Sequence, residues 1–121
     1  FPAWEDFPLK NYWNLGYSHG PLSEKKYISI LSSRGCPYPC NFCVVPKTNE
    51  RRWRSRSPKN VVDEIEYFAK KFDVKEFHFE DLNPTVNDSR IKELCNLIIE
   101  YLSLSYLGPF AYMIISACFI S

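Results

Sequence analysis

At 121 residues, with 45% apolar and 17% aromatic side chains, the chain is one small domain or a piece of a larger one, and its composition excludes intrinsic disorder. A formal net charge of +1 gives no global argument for a nucleic-acid partner or an anionic membrane surface. The charge is unevenly spread, however, and its local concentrations are informative.

Residues 1–24 carry Pro2, Pro8 and Pro21, with Trp4, Phe7, Tyr12, Trp13 and Tyr17 between them and no period of 2 or 3.6. This predicts an extended strap or linker whose aromatic side chains pack against something. The sequence begins inside this segment without an initiator methionine, so an earlier part of the protein is expected.

Tyr27-Ile28-Ser29-Ile30-Leu31-Ser32 is short, apolar and rich in β-formers, and reads as a buried strand. It leads through Arg34-Gly35 into Cys36-Pro37-Tyr38-Pro39-Cys40-Asn41-Phe42-Cys43. Gly35 lets the backbone turn without a Cβ penalty, and Pro37 and Pro39 make the cysteine stretch a loop. A loop can bring three thiols to one point, which suits a soft metal centre. A disulfide would strand the third thiol, and no secretory leader points to an oxidising compartment, so a cytoplasmic location is expected. A structural zinc site would need a fourth ligand. Cys95 and Cys118 are distant, and His19 and His78 are single. An iron–sulfur cluster on three cysteines would leave one iron open.

From Lys47 to Lys59 there are six basic residues (Lys47, Arg51, Arg52, Arg54, Arg56, Lys59) against Glu50 alone, with Trp53 among them. Such a stretch can grip nucleic acid, be a solvated loop, or send an arginine to an anionic cofactor. Ser57-Pro58 then opens a helix as N-cap and first residue. Its apolar face is Val61, Val62, Ile65, Phe68, Ala69 and Phe72, and its charged residues read as a solvated face. Val74 to Phe79 is the second strand. Strand, helix and strand make a parallel βαβ unit, which sets Glu80 and Asp81 near the cysteine loop unless they serve only as a turn and cap. Phe77 and Phe79 read as core, and His78 as packing or surface.

Asn87 or Asp88 caps a second helix whose buried face holds Ile91, Leu94, Cys95, Ile98 and Leu102. No charge occurs after Glu100. The apolar tail over 101–121 has nearly the length of a membrane span, but Gly108-Pro109, Ser103, Ser105 and Ser116, and the absence of basic flanks oppose that. A third strand over Phe110 to Ser116, or an accidental tail, is the favoured reading.

Cys-x3-Cys-x2-Cys with Phe42 before the last cysteine resembles the signature of the radical S-adenosylmethionine (SAM) enzymes. The resemblance implies a four-iron four-sulfur cluster on Cys36, Cys40 and Cys43, with its open iron chelated by SAM and Phe42 beside the adenine. It also implies that Glu80, Asp81 and Arg56 help to bind that cofactor. The implied fold is α/β, the N-terminal part of a partial (β/α)6 TIM-like barrel with parallel strands and crossover helices. Residues 25–121 would supply part of that core, with the cluster loop over 34–46.

Within the superfamily, the strap, Ser33-Arg34-Gly35-Cys36-Pro37, Arg54-Ser55-Arg56-Ser57-Pro58, Val61-Val62-Asp63-Glu64-Ile65 and Phe79-Glu80-Asp81 with Asn83 and Thr85 resemble the branch that carries a cobalamin-binding domain. Leu82 and Pro84 depart from it, standing where a second acid and an aromatic are common. Cys43-Val44-Val45-Pro46 resembles the tRNA methylthiotransferases, which rank second, and a zinc-binding nucleic-acid module is the non-enzymatic alternative. The resemblance implies reductive cleavage of SAM by the parent enzyme, with cobalamin-linked methyl transfer or rearrangement of a small-molecule substrate. It also implies an electron donor such as flavodoxin or ferredoxin. This chain alone would need the preceding domain and the rest of the barrel. Nucleic acid is not an expected partner, and a membrane only through 101–121.

Overall fold

The computed structural model describes residues 1–18 and 20–104, with backbone alone at 103 and 104. His19, Cys118, the expected third strand and the tail beyond residue 104 lie outside the described residues.

The extended strap is corrected. A 3-10 helix spans Trp4–Asp6 and an α-helix, α1, spans Leu9–Leu15. Pro8 does not oppose this, because it precedes the first helical residue, where a missing N–H costs no intrahelical bond. Gly16, at φ 61°, ends the helix. Leu9 and Trp13 fall one turn apart and are buried, and Trp13 Nε1 donates to the Tyr27 carbonyl at 2.8 Å. This segment therefore packs on the first strand through side chains that a short helix aligns.

That strand, β1 (Tyr27–Ile30), is shorter than expected. Beyond Ile30 the chain turns away, and β2 (Ser33–Arg34) pairs antiparallel with β3 (Arg54–Ser55) after a short helix α2 (Val45–Thr48). Helix α3 (Pro58–Phe72) starts where Ser57 and Pro58 predict, with the Ser57 hydroxyl accepting from Asn60 N at 3.3 Å, a cap worth about 1 kcal/mol. Lys70 and Lys71 occupy its last turn, where the helix dipole favours cations. Strand β4 (Glu76–Phe79) begins two residues later than predicted. Helix α4 (Asp88–Leu104) opens under Asn87, whose Oδ1 accepts from Arg90 N at 2.9 Å, and residues 101–104 of the apolar tail are its last turn.

β1 and β4 pair in parallel, with Ile28 opposite Phe77 and Ile30 opposite Phe79. The strand period puts these four on one face, and they form one core with Val61, Ile65 and Phe68 of α3 and Leu94 and Ile98 of α4. Helices α3 and α4 pack against each other. The βαβ unit is thus present, and Phe77 and Phe79 are core. His78 is buried too, its Nε2 2.7 Å from Glu76 Oε1, while Glu76 also accepts from the backbone of Ser23 and Glu24. Among the described residues no helix is long and apolar enough to cross a membrane.

Candidate functional site

The cysteine loop leaves the carboxyl end of β1 through β2. Gly35 sits at φ 86°, and a Cβ there would lie 2.0 Å from the Arg52 carbonyl oxygen, so only glycine lets the loop press on the chain entering β3. Past Pro37 and Pro39 the loop folds on itself, with Cys43 N donating to Cys40 O at 3.2 Å. Cys36 and Cys43 are half-buried, Cys40 is exposed, and all three are free thiols. Phe42 is 94% exposed. Among the described residues no three His, Cys, Asp or Glu side chains are gathered closely enough to hold a metal ion. The thiols share a loop rather than a point.

The parallel pairing brings the acidic turn to this loop. Glu80 N donates to Ile30 O at 3.0 Å, and Glu80 is half-buried. Asp81 reaches across to the β1–β2 junction. Its Oδ1 accepts from the backbone and hydroxyl (3.0 Å) of Ser33, and its Oδ2 from Ser32 N at 3.3 Å. The carboxylate thus holds the base of the cysteine loop. Two residues on, Asn83 Nδ2 lies 3.8 Å from Cys36 Sγ as a donor, and the Asn83 carbonyl accepts from Trp53 Nε1 at 3.0 Å.

Arg56 lies at the same junction, half-buried, with each guanidinium nitrogen bonded to the protein. NH1 meets Glu64 Oε2 at 2.5 Å and Leu31 O at 3.2 Å, Nε meets Asn60 Oδ1 at 2.8 Å, and NH2 meets Asn60 O at 3.2 Å. Glu64 corrects the expectation of a solvated charged face on α3. It is 1% exposed and also accepts from Trp4 Nε1 at 2.5 Å. An open cavity of about 530 Å³ lies over this pair, with Trp4, Leu31, Arg34 and Arg54 in its walls. Of the other basic residues, Arg52 pairs with Glu50 at 3.0 Å and Lys59 with Asp63 at 2.7 Å.

Arg90 is a second buried charge that residue type alone does not reveal. It lies in the first turn of α4 and donates through Nε to Arg56 O at 2.9 Å and through NH2 to Ser32 O at 2.7 Å. Burial holds its guanidinium below the usual arginine range. Its guanidinium carbon lies over the Trp53 ring, 5.7 Å from the centroid. Both of these buried charges at the junction have a signal in the sequence. Glu64 falls three residues after Val61 and four before Phe68, and Arg90 four before Leu94, so each lies on its helix's apolar stripe.

The family profile described as the radical SAM superfamily matches residues 30–117, from the end of β1 through the cysteine loop, α3, β4 and α4. The chain belongs to the radical SAM superfamily. Among its curated relatives, the anaerobic magnesium-protoporphyrin IX monomethyl ester cyclase of Synechocystis sp. is 38% identical over 107 residues, covering 88% of this chain and 20% of the relative. The cytidylyl-2-hydroxyethylphosphonate methyltransferase of Streptomyces wedmorensis is 30% identical over 95 residues, 78% of this chain and 18% of the relative. The bacteriochlorophyllide d C-8(2)-methyltransferase of Chlorobaculum tepidum is 32% identical over 126 residues, 85% of this chain and 28% of the relative. The chain spans about a fifth of the length of the first two. No solved structure matches it.

For a radical SAM chain the donor set is apt. Three unpaired thiols occupy one loop whose base is fixed by Gly35 and Asp81, and a side-chain amide already donates to one sulfur. The donor chemistry suits a soft cluster with three protein ligands, which the loop would have to gather.

Proposed function

We propose that the parent protein is a radical SAM enzyme, and that this chain contributes the first two β/α units of a partial (β/α)6 barrel together with the cluster loop. Cys36, Cys40 and Cys43 would hold a four-iron four-sulfur cluster. When bound, such a cluster supplies one electron and an open coordination position for the amino and carboxylate groups of SAM. The observation that carries this reading is the placement of three free thiols beyond the carboxyl end of a strand paired in parallel, where ligands of α/β folds bind.

Each remaining role belongs to a residue of this chain. Phe42, exposed on the loop, offers a flat apolar face for the adenine. Glu80, just after β4, would accept from the cationic amino group of the cofactor. Asp81 and Arg56 act at one remove, holding the backbone from which the loop springs. The cyclase and methyltransferase names of the relatives support methyl transfer or ring formation on a small-molecule substrate, and cobalamin would sit in a domain outside this chain. The electron would come from a flavodoxin- or ferredoxin-type donor.

The test is anaerobic reconstitution, then iron and sulfide analysis and electron paramagnetic resonance of the reduced sample with and without SAM. About four irons and four sulfides, with a spectrum that changes on addition, is the expected result. Zinc without sulfide would overturn it.

A further inference from the structure

Asn83 lies in the turn after β4, and the cysteine ligands leave it no task of their own. Yet the residue is tied at three atoms, two of them in its side-chain amide. Its backbone carbonyl accepts from Trp53 Nε1 at 3.0 Å, its Oδ1 accepts from the Thr85 hydroxyl at 3.3 Å, and its Nδ2 points to Cys36 Sγ at 3.8 Å. Because Thr85 takes the oxygen, the nitrogen is the end presented to sulfur. Trp53 is in turn held by the Arg90 guanidinium over its ring at 5.7 Å. Gly35 lets residues 52–53 approach this closely. Four segments distant in sequence thus converge to present one N–H to the first cysteine of the triplet.

A hydrogen bond to sulfur favours the electron-rich form of a thiolate-held centre, and bonds to ligand sulfurs are among the levers that set iron–sulfur potentials. We propose that Asn83 is a positioning and tuning residue for the centre on the cysteine loop. Through its N–H to Cys36 it raises the centre's reduction potential, and Thr85 fixes the orientation of its amide. This rests on the cluster reading above. It adds a residue from the turn after β4 to the control of the electron transfer that begins the reaction. Trp53 binds the backbone of Asn83 rather than its side chain, so replacing that side chain leaves this tie in place and separates tuning from scaffolding.

The experiment is a redox titration, monitored by electron paramagnetic resonance, of the reconstituted full chain as the parent and as Asn83→Leu, Asn83→Gln and Thr85→Val. Iron and sulfide content and the thermal unfolding midpoint are measured alongside. Asn83→Leu is expected to move the midpoint potential to a more negative value with the iron content kept. Thr85→Val should move it less in the same direction, and Asn83→Gln, which keeps an amide N–H, should restore part of the shift. A parent chain that takes up no iron and sulfide overturns the cluster reading itself. A parent that loads, with an Asn83→Leu potential equal to its own, overturns the tuning role alone. Should Asn83→Leu fail to load, Thr85→Val decides, and its unchanged potential would overturn the proposal.

Discussion

Replacing Gly35 by alanine tests the idea that the cysteine loop is fixed from its base. Two penalties add. At φ 86° an L side chain meets its own backbone, at about 1–2 kcal/mol. The new Cβ would also stand 2.0 Å from Arg52 O, so that carbonyl must retreat by about 1 Å merely to reach the 3.0 Å that real Cβ contacts respect. The carbonyl cannot swing freely. Glu50 and Arg51 before it are already at φ 50° and 56°, and Trp53 after it is tied to Asn83. Forced displacement of packed atoms costs about 1–3 kcal/mol, so Gly35→Ala should lose about 2–5 kcal/mol in all. That corresponds to a fall of roughly 6 °C or more in the thermal midpoint. Gly20→Ala is the control, since nothing lies within 4 Å of its added Cβ and its φ is not positive. Circular-dichroism melts of the three chains, with iron uptake measured in parallel, make the comparison. A Gly35→Ala chain that melts with the parent would refute the reasoning.

Glu64→Leu removes one partner of the Arg56 guanidinium and the acceptor of the Trp4 indole N–H, and should cost about 1–3 kcal/mol in urea unfolding, with part regained when Arg56→Met is added. Asp81→Asn looks conservative but turns an NH2 toward a backbone donor of Ser32 or Ser33, and should lose about 1–3 kcal/mol by the same assay. A direct role in cofactor binding with no role in the fold would instead leave its urea midpoint unchanged. Phe42→Ala, at a side chain 94% exposed, should leave the midpoint within about 0.5 kcal/mol of the parent and weaken SAM binding to the reconstituted chain, as read by titration of its spectrum. The Glu5 carboxyl is held below its ordinary value of 4.5 by its hydrogen bond and charge contact with Lys71. That tie is therefore complete above about pH 5 and is lost as pH falls through the lowered value. Hydrogen exchange in residues 4–7 should rise there first, and less so in high salt, where the exposed pair is already screened.

Where sequence order and spatial order coincide, the fold is legible. Ser57-Pro58 starts α3, Asn87 caps α4, and the strand patterns around Ile28 and Phe77 pair in parallel because a helix crossover permits little else. Helix α1 is hidden because seven residues hold barely two turns, too few for a period to show, and Leu9 and Trp13 are ordered by burial and a bond to Tyr27 rather than by propensity. The cysteine loop announces itself by spacing. Its supports do not, because Asp81, Arg90 and Asn83 act on residues 47 to 58 positions away, and no local pattern encodes that reach. Glu64 and Arg90 illustrate a narrower failure. Residue type says solvent for a charge on an apolar stripe, when its position has already placed it inside.

The backbone over residues 31–33 shows what those distant charges accomplish. Its donors at Ser32 and Ser33 go to Asp81, from the turn after β4. The Ser32 carbonyl takes Arg90 from α4 and Arg56 N from the link into α3, and the Leu31 carbonyl takes the Arg56 guanidinium. Past the end of β1 only the short β2–β3 pair offers backbone partners, and leaving the remaining groups dry and unpaired would cost about 1–3 kcal/mol each. Charged side chains satisfy them without extending the sheet, so the chain is free to turn at Gly35 and present its thiols beyond the strand. The same arrangement explains why Arg56 and Asp81 sit beside the candidate centre while spending their charge on the scaffold. Rigidity is concentrated at the root of the loop, and exposure at its tip, where Cys40 and Phe42 stand open to solvent. A loop built this way can close around a ligand at its tip without disturbing the strand that carries it.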